Sequence, residues 1–370
     1  MRILHLYKDY YPVVGGIENH VRLLAEGQAR AGHEVAVLVT NPSLRSSRER
    51  LADVDVTKVG RLAKVASTPL SLRFGWELAH RRPDIAHVHS PYPPAEALQY
   101  LLGKSRATVL TYHSDVVRQR HLARLYRPLM QRVLGNVDRI LVSSPAHLAS
   151  QMLVEHREKC HVVPFGIRLE RFASADPVRV AKLRGMAQCL PLLLFVGVFR
   201  YYKGLQYLIE AMADVEALLV LVGSGPLEGE LRQQVTELGL GDRVRFAGRV
   251  SDEELPTYYQ AADLFVLPSC EPSETFGIAQ VEALAAGLPV VGTELGTGTT
   301  FVNRHEETGL VVPPKDARAL AAAIKRLLGD EALRRRLGEG ARRRAQVFDA
   351  ERMLVEVERI YEEVLNNRPG

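Results

Sequence analysis

The chain has 370 residues, a formal net charge of +5 and 46% hydrophobic residues. This length suggests two domains, and this composition excludes a chain that is mainly disordered or collagen-like. The three cysteines are far apart and form no CxxC pair, so neither a disulfide framework nor a structural zinc site is expected. No signal peptide and no membrane-spanning run is recognised in the sequence. We therefore expect a cytoplasmic protein that is not an integral membrane protein.

The positive charge is concentrated in the first half. Residues 1–170 carry 24 Lys and Arg against 15 Asp and Glu, whereas the rest carry 24 against 28. Residues 41–82 hold nine cations and four acids, and residues 104–132 hold seven and one. This pattern suggests a phosphorylated substrate, an anionic membrane surface or a nucleic acid as partner, with solvated surface charge as the alternative. No nucleic-acid-binding motif is present, so no nucleic acid is expected.

Short apolar runs alternate with amphipathic stretches along the chain. A first series of strands is predicted at Arg2–Tyr7, His33–Thr40, Ile85–His89, Ala107–Tyr112, Arg139–Val142 and His161–Val163, with a helix over Ile17–Ala31. A second series is predicted at Leu192–Gly197, Ala217–Val222, Val244–Ala247, Leu264–Leu267, Val290–Gly292 and Gly309–Val312. This β-α-β order predicts an α/β fold of two doubly wound, Rossmann-like domains.

The domain boundaries follow from the two series of strands. We expect an N-terminal domain over residues 1–168 and a C-terminal domain over residues 169–348, facing each other across a cleft. Residues 349–370 form a charged amphipathic helix that packs on one of the two domains, a return to the N-terminal one being an option. Ligands of such folds bind at the carboxyl ends of the strands, where loops lead into helices.

Several of these loops have the residues of an anion site. Gly15 and Gly16 follow the first strand and open a helix, which suits a phosphate as well as it suits a tight turn. Gly223-Ser224-Gly225 resembles half of a dinucleotide fingerprint, but no acidic ribose partner follows at the usual spacing. Arg200 and Lys203 come between a buried strand and a helix, where they either neutralise a diphosphate or simply face solvent.

The segment over residues 268–291 is the most informative. Glu274 lies in the loop and Glu282 about two turns into the following helix, with Phe276, Gly277 and Ile278 at the helix start. Free amides of a helix start bind phosphate, and carboxylates accept hydrogen bonds from vicinal hydroxyls. The alternative is one solvated and one partly buried acid. By contrast, Asp53-Val54-Asp55, a triplet that holds divalent metals in some transferases, falls in a polar connecting stretch and is expected to be a surface feature.

Taken in order, these motifs identify the chain as resembling glycosyltransferase family 4, retaining enzymes of the GT-B architecture. The matching pieces, which cover nearly the whole chain, are GGIENHV, HVHSPYP, TYHSD, VPFGI, FRYYKGLQYLIEAM, LVGSGP, FAGRVSDEEL, ETFGIAQVEALAAGLPVV and TGLVVPP. The two glutamates separated by seven residues are the most specific of them.

The resemblance implies roles for the matching residues. It implies that Glu282 holds the nucleotide ribose, that Glu274 contacts the donor sugar, and that Lys203 contacts the diphosphate. The backbone at Phe276, Gly277 and Ile278 would meet the sugar and phosphates, and the backbone near Val250 the base. Gly15 and Gly16 would approach the diphosphate from the N-terminal domain, and His113 would lie beside the donor sugar. The predicted catalytic residues are therefore His113, Glu274 and Lys203.

One position departs from the family pattern. The usual arginine directly follows the glycine of the first strand in the C-terminal domain, where this chain has Val198. Arg200, two residues later, either takes over the phosphate contact or is the usual choice of a subgroup. Since the cationic loops can neutralise the leaving group in place of a metal, we expect a transferase that needs neither metal nor cofactor.

The substrates follow less directly. The basic half favours a lipid-linked or phosphorylated acceptor over a neutral soluble one, with an anionic membrane surface as a further partner. The resemblance of residues 294–303 and of FRYYKG to family members implies a polysaccharide or glycolipid acceptor. Mannose from a GDP- or UDP-linked donor is the sugar we favour, ahead of glucose, rhamnose and N-acetylglucosamine. Two alternatives remain at this stage: an epimerase or phosphorylase on the same fold, and a non-catalytic nucleotide-sugar-binding protein.

Overall fold

The computed structural model describes residues 1–13, 15–65, 68–114 and 120–367; side chains of residues 120–125 are not described. The chain divides into two compact units, the first formed by Met1–Gly166 with Ala350–Gly370 and the second by Ile167–Asp349. The division after Gly166 lies two residues before the boundary expected from the sequence. Among the described residues, no helix is both long enough and apolar enough to cross a bilayer.

The first unit has an eight-stranded sheet in the order β10-β9-β8-β7-β1-β2-β4-β3, in which every neighbouring pair except β3 and β4 is parallel. A separate hairpin is formed by β5 and β6. The strands are β1 (Arg2–Leu6), β2 (Glu34–Asn41), β3 (Ser47–Leu51), β4 (Val54–Gly60), β5 (Ala63–Val65), β6 (Thr68–Leu70), β7 (Ile85–Ser90), β8 (Ala107–Tyr112), β9 (Arg139–Val142) and β10 (Cys160–Val162). The helices of residues 1–166 are α1 (Gly16–Arg30), α2 (Leu72–Ala79), α3 (Pro93–Leu102) and α4 (Arg120–Asn136).

The second unit has a six-stranded, fully parallel sheet in the order β13-β12-β11-β14-β15-β16. Its strands are β11 (Leu192–Val196), β12 (Leu218–Val222), β13 (Val244–Gly248), β14 (Leu264–Leu267), β15 (Val290–Thr293) and β16 (Gly309–Val312). Its helices are α5 (Glu170–Ala173), α6 (Pro177–Met186), α7 (Leu205–Ala211), α8 (Glu228–Glu237), α9 (Leu255–Ala261), α10 (Ile278–Ala286), α11 (Thr299–Val302), α12 (Ala317–Gly329) and α13 (Glu331–Ala345). Both sheets have the doubly wound α/β arrangement predicted from the alternation of apolar runs and amphipathic stretches.

The C-terminal helix α14 (Ala350–Asn366) belongs to the first unit, which resolves the choice that the sequence leaves open. Its residues at helical spacing, among them Met353, Val357 and Ile360, are buried in that unit's core. Helix α1 approaches it so closely at Gly27 that a Cβ there would lie 2.5 Å from the Leu354 Cδ1. The chain therefore returns to its first unit after completing the second.

The stretch around Asp53 and Asp55 is not the plain connection expected from the sequence. It joins the antiparallel strands β3 and β4, and Val54 is the first residue of β4. Asp53 is 81% exposed and pairs with Arg50, and Asp55 is also exposed. The exposed position fits the expectation of a surface feature. The prediction of a connecting stretch was wrong, because the residues form an antiparallel hairpin at the edge of the sheet.

Candidate active site

The loop after β11 is fixed against the loop after β14 by a glycine. Gly204 has a φ of +66°, and a Cβ there would lie 2.0 Å from the carbonyl oxygen of Pro268, so only glycine fits without a shift of the backbone. The backbone N–H of Cys270 donates to the carbonyl of Tyr202 at 2.8 Å. These contacts hold Lys203 beside the segment that contains Glu274.

Lys203 and Glu274 form a largely buried ion pair. The Lys203 Nζ lies 2.5 Å from Glu274 Oε2, with side-chain exposures of 12% and 9%. The Ser269 hydroxyl donates to the same carboxylate at 3.0 Å. Burial alone would lower the pKa of Lys203, but the Glu274 carboxylate outweighs it and the pKa is raised above its ordinary value. Lys203 is thus a fixed positive charge whose only ion-pair partner in the described part of the chain is Glu274.

Glu282 lies on α10 and accepts a hydrogen bond from the Tyr259 hydroxyl at 2.6 Å. Burial raises the pKa of Glu282 to about 7, and the Tyr259 hydrogen bond and the charge of Arg171 limit the rise. Near neutral pH this carboxyl group is therefore divided between its two protonation states. A ligand that donates hydroxyl hydrogens to Glu282 would favour the ionised form.

The residues between the two glutamates form the start of helix α10. Gly277 precedes the helix with a φ of +75°, and Ile278 is its first residue. Phe276 is buried and packs edge-on against Phe348 at a ring distance of 5.7 Å, which fixes the loop. The first amides of a helix have no partner within the helix, so this N-terminus carries partial positive charge next to the Lys203–Glu274 pair.

Arg200 and Val250 complete the second-unit residues predicted from the sequence. Arg200 is exposed, as is Val198, the position of the departure from the family pattern. Val250 follows β13 by two residues, next to Arg249, whose Nε donates to the Ser224 hydroxyl at 2.9 Å. All of these loops lie at the carboxyl-end edge of one parallel sheet, as the sequence predicts for a ligand site.

The other predicted site residues lie in the first unit. Gly15 caps α1, and the Glu18 carboxylate lies over it, so that a Cβ there would be 2.2 Å from Glu18 Oε2. Gly16 is the first residue of that helix. His113 directly follows β8 and is 2% exposed, with its ring 5.1 Å from that of Phe165. Burial, aided by His20, holds the pKa of His113 well below its ordinary value, so the side chain is neutral.

Sequence reasoning missed the residues that hold these side chains. Ser269 and Tyr259 position the two glutamates, and nothing in their local sequence marks them, because each meets its partner only through the packing of the unit. A set of buried histidines was also missed: His20 and His89 contact His113, and His5 and His87 contact His89. Their signal was available, because histidines at alternate positions of an apolar strand share one buried face.

Two triads of these histidines have ring nitrogens close enough to share a metal ion. In each triad, His5 with His87 and His89, and His20 with His89 and His113, the nitrogens lie within 4.8 Å of one another, as judged over the described residues. Both nitrogens of His5, His87 and His89 already make hydrogen bonds, which a metal would have to displace. The cluster is therefore organised as a hydrogen-bonded network.

Two family models match consecutive parts of the chain. The model described as Glycosyltransferase Family 4 matches residues 14–171, and the model described as Glycosyl transferases group 1 matches residues 187–344. Together with the relatives below, these matches show that the chain belongs to glycosyltransferase family 4. Its two Rossmann-like units are those of GT-B glycosyltransferases, and the protein is a glycosyltransferase.

Curated relatives and solved structures are similar to the chain over nearly its whole length. The chain is 37% identical to O-antigen chain mannosyltransferase C of Escherichia coli over the whole of both chains. It is also 37% identical to D-rhamnosyltransferase WbpZ of Pseudomonas aeruginosa, over 95% of this chain and 93% of that protein. Sucrose-phosphate synthase from Thermosynechococcus elongatus superposes with a TM-score of 0.83 at 28% identity, covering 99% of this chain and 100% of that one. Anabaena HepE, in complex with UDP-glucose, shares the fold with a TM-score of 0.81 at 21% identity over 98% of this chain and 100% of its own.

Proposed function

We propose that this glycosyltransferase moves a hexose, with mannose favoured, from a nucleotide-sugar to a lipid-linked or polysaccharide acceptor, with retention of anomeric configuration. The observation that carries the proposal is the Lys203–Glu274 pair beside the glycine-led start of α10. A fixed cation and free helix amides suit a diphosphate, and two carboxylates suit sugar and ribose hydroxyls. The second unit would accordingly bind the donor and the first the acceptor.

The proposed reaction is a dissociation at the sugar C1. The C1–O bond to the nucleoside diphosphate breaks, and Lys203, Arg200 and the α10 N-terminus stabilise the growing negative charge. The acceptor hydroxyl attacks from the same face, and its proton passes to the departing phosphate. Glu282 would hold the ribose, Glu274 a donor-sugar hydroxyl, and His113 a further group of the sugar. Since side chains supply the positive charge, no metal or cofactor is required by this proposal.

The choice of mannose rests on the relatives. One 37% identical relative is named as a mannosyltransferase and another, equally similar, as a D-rhamnosyltransferase. D-Rhamnose is 6-deoxymannose, so the two donors share the configuration of the ring and differ at one hydroxyl. We therefore place GDP-mannose first and GDP-rhamnose second, with UDP-linked glucose and N-acetylglucosamine behind them.

A transfer assay tests this function. The purified protein is incubated with each labelled nucleotide-sugar and a membrane extract as acceptor source, with and without EDTA. We expect transfer of mannose into a lipid-linked or glycan product with the anomeric configuration of the donor, at the same rate in EDTA. An inverted product would contradict retention, and loss of activity in EDTA would contradict metal independence. Conversion of donor without any acceptor would indicate an epimerase, and phosphate-dependent cleavage a phosphorylase.

Association with an anionic membrane surface is proposed from the basic first half. Residues 41–82 support this proposal less than their charge suggests, because several of their cations have acidic partners. Arg48 and Arg81 pair with Glu77, and Lys58 pairs with Glu49. The segment Val116–Met130, which carries the strongest basic pattern, lies partly outside the described residues. The proposal therefore rests on the charge of residues 104–132.

Vesicle co-sedimentation tests the membrane proposal. We expect binding to phosphatidylglycerol-containing vesicles at low salt, little binding to neutral phosphatidylcholine, and release as the salt screens the charges. An Arg124→Gln/Arg127→Gln variant should bind less, whereas Arg179→Gln/Lys182→Gln, in the second unit, should bind like the wild type. Equal sedimentation with anionic and neutral vesicles would refute the proposal.

A further inference from the structure

Three histidines lie side by side in the sheet of the first unit, and a fourth directly follows one of its strands. His5 on β1 is in register with His87 on β7, and His89 is in register with Thr111 on β8. All are fully buried, as is His113 just beyond β8. Buried polar rings must satisfy their nitrogens within the protein, so their hydrogen bonds form a closed set that can be followed atom by atom.

One arm of this set leads from His113 to Gln28 on helix α1. His113 Nε2 lies 3.3 Å from His89 Nδ1, His89 Nε2 lies 3.1 Å from His5 Nδ1, and His5 Nε2 lies 2.7 Å from Gln28 Oε1. A second arm leads away from the same amide. Gln28 Nε2 donates to the Tyr361 hydroxyl at 3.4 Å, which meets His87 Nδ1 at 2.5 Å, and His87 Nε2 lies 2.6 Å from the Thr111 hydroxyl.

The amide of Gln28 determines the direction of both arms. A neutral imidazole has one donor and one acceptor nitrogen, and burial keeps these rings neutral: it lowers the pKa of His5 to about 4 and that of His89 and His113 well below the ordinary value. Because Gln28 Oε1 only accepts, His5 must carry its proton on Nε2. His5 Nδ1 then accepts from His89 Nε2–H, and His89 Nδ1 accepts from His113 Nε2–H.

His113 is left with a defined lone pair. Its Nδ1 is buried and has no hydrogen-bond partner among the described residues, and the ring of His20, 5.3 Å away, makes no hydrogen bond to it there. An unpartnered buried acceptor costs free energy unless a ligand supplies the donor. The chain of bonds thus prepares one specific atom of His113 to receive a hydroxyl or N–H hydrogen.

We propose that Gln28, acting through His5 and His89, is a positioning residue that holds His113 in the Nε2–H tautomer, so that His113 Nδ1 accepts a hydrogen bond from a hydroxyl of the donor sugar. The part that concerns the sugar rests on the proposed function, whereas the tautomer does not. The opposite orientation of the Gln28 amide would reverse every bond and turn His113 Nδ1 into a donor. The two orientations therefore place the ring proton of His113 on different nitrogens.

Nitrogen-15 NMR of the histidine-labelled full chain locates that proton. Long-range proton–nitrogen correlations distinguish a protonated from an unprotonated ring nitrogen, and loss of a signal set in His113→Gln assigns it. The expected result for wild type is a protonated Nε2 and an unprotonated Nδ1 at His113. A protonated Nδ1, or an equal mixture of tautomers, would overturn the proposal.

Variants of Gln28 then test the connection. Gln28→Glu keeps an acceptor at His5 and should keep the His113 tautomer, whereas Gln28→Leu removes the acceptor and should give a mixture. With the best sugar donor, Gln28→Leu should lower kcat roughly tenfold, the worth of one hydrogen bond, and leave the Kd of the free nucleoside diphosphate unchanged. An unaltered tautomer in Gln28→Leu would contradict the role of Gln28. If the tautomer is as stated but no sugar is transferred, the proposed function fails and the positioning stands.

Discussion

Replacement of Lys203 by alanine is expected to lower the rate of sugar transfer by roughly 10²–10³-fold, the usual cost of losing a preorganised stabiliser of developing negative charge. The affinity for the free nucleoside diphosphate should fall by about 10–100-fold, because a charge-assisted hydrogen bond to phosphate is lost. Calorimetric titration with GDP and UDP and an initial-rate assay measure the two effects. Unchanged values for both would remove Lys203 from the site.

The ion pair complicates this experiment in a way that the sequence did not reveal. Lys203→Ala leaves the Glu274 carboxylate buried without its partner, so the variant also loses folding stability. Breaking a buried pair typically costs about 3–5 kcal/mol. Glu274→Gln is the matched control: it removes the competing carboxylate and should strengthen binding of the free diphosphate while slowing transfer. The double variant Lys203→Ala/Glu274→Gln should regain stability but still bind the diphosphate weakly, which separates the lost charge from lost folding.

Replacement of Glu282 is expected to have the second large effect, and it depends on pH. Glu282→Ala should weaken nucleotide-sugar binding by roughly 10–100-fold, because a hydrogen bond from a hydroxyl to a carboxylate is lost. In wild type, affinity should rise as pH increases from 6 to 8, since the carboxyl titrates near 7 and its ionised form is the better acceptor. Glu282→Gln should give a flatter profile. A profile in wild type that matches that of Glu282→Gln would contradict the assignment.

The same group affects stability in the opposite direction. The pKa of Glu282 in the folded protein lies above the ordinary value of 4.5, because burial favours the neutral carboxyl group. The free energy of unfolding is therefore highest below pH 4.5 with respect to this group, and it falls as the pH rises through about 7. Glu282→Gln should therefore raise the thermal midpoint at pH 8, by at most the equivalent of about 3 kcal/mol, and leave it nearly unchanged at pH 4.5. Glu237→Gln, an exposed control on α8, should change neither. Lower stability of Glu282→Gln at pH 8 would contradict this. It would show that the protein stabilises the buried Glu282 carboxylate by more than the hydrogen bond from Tyr259.

Most of the fold could be predicted because the parallel strands are buried on both faces. Runs such as Leu218–Val222 are continuously apolar, and that pattern indicates a strand buried on both faces. The strand Ser47–Leu51 was missed because four of its five residues are exposed and polar, so no alternation marks it. This strand lies at the edge of the sheet and, among the described strands, pairs only with β4, and no local sequence pattern predicts such a pairing.

The candidate site shows the same limit at the level of side chains. Lys203 and Glu274 could be found because each stands in a loop between a predicted strand and a helix. Their contact, and the hydroxyls of Ser269 and Tyr259 that support the glutamates, depend on how the unit packs. The histidine network is still harder to predict from the sequence. Gln28 and Tyr361 are 333 positions apart, and they meet only because the last helix returns to the first unit.

A structure of the protein with bound GDP tests the central claim most directly. We predict that the diphosphate lies within hydrogen-bond distance, about 3 Å, of the Lys203 Nζ and the first amides of α10, with the ribose hydroxyls on Glu282. A nucleotide bound away from both the loop at 198–204 and the segment at 274–282, or no binding of either GDP or UDP at millimolar concentration, would contradict it.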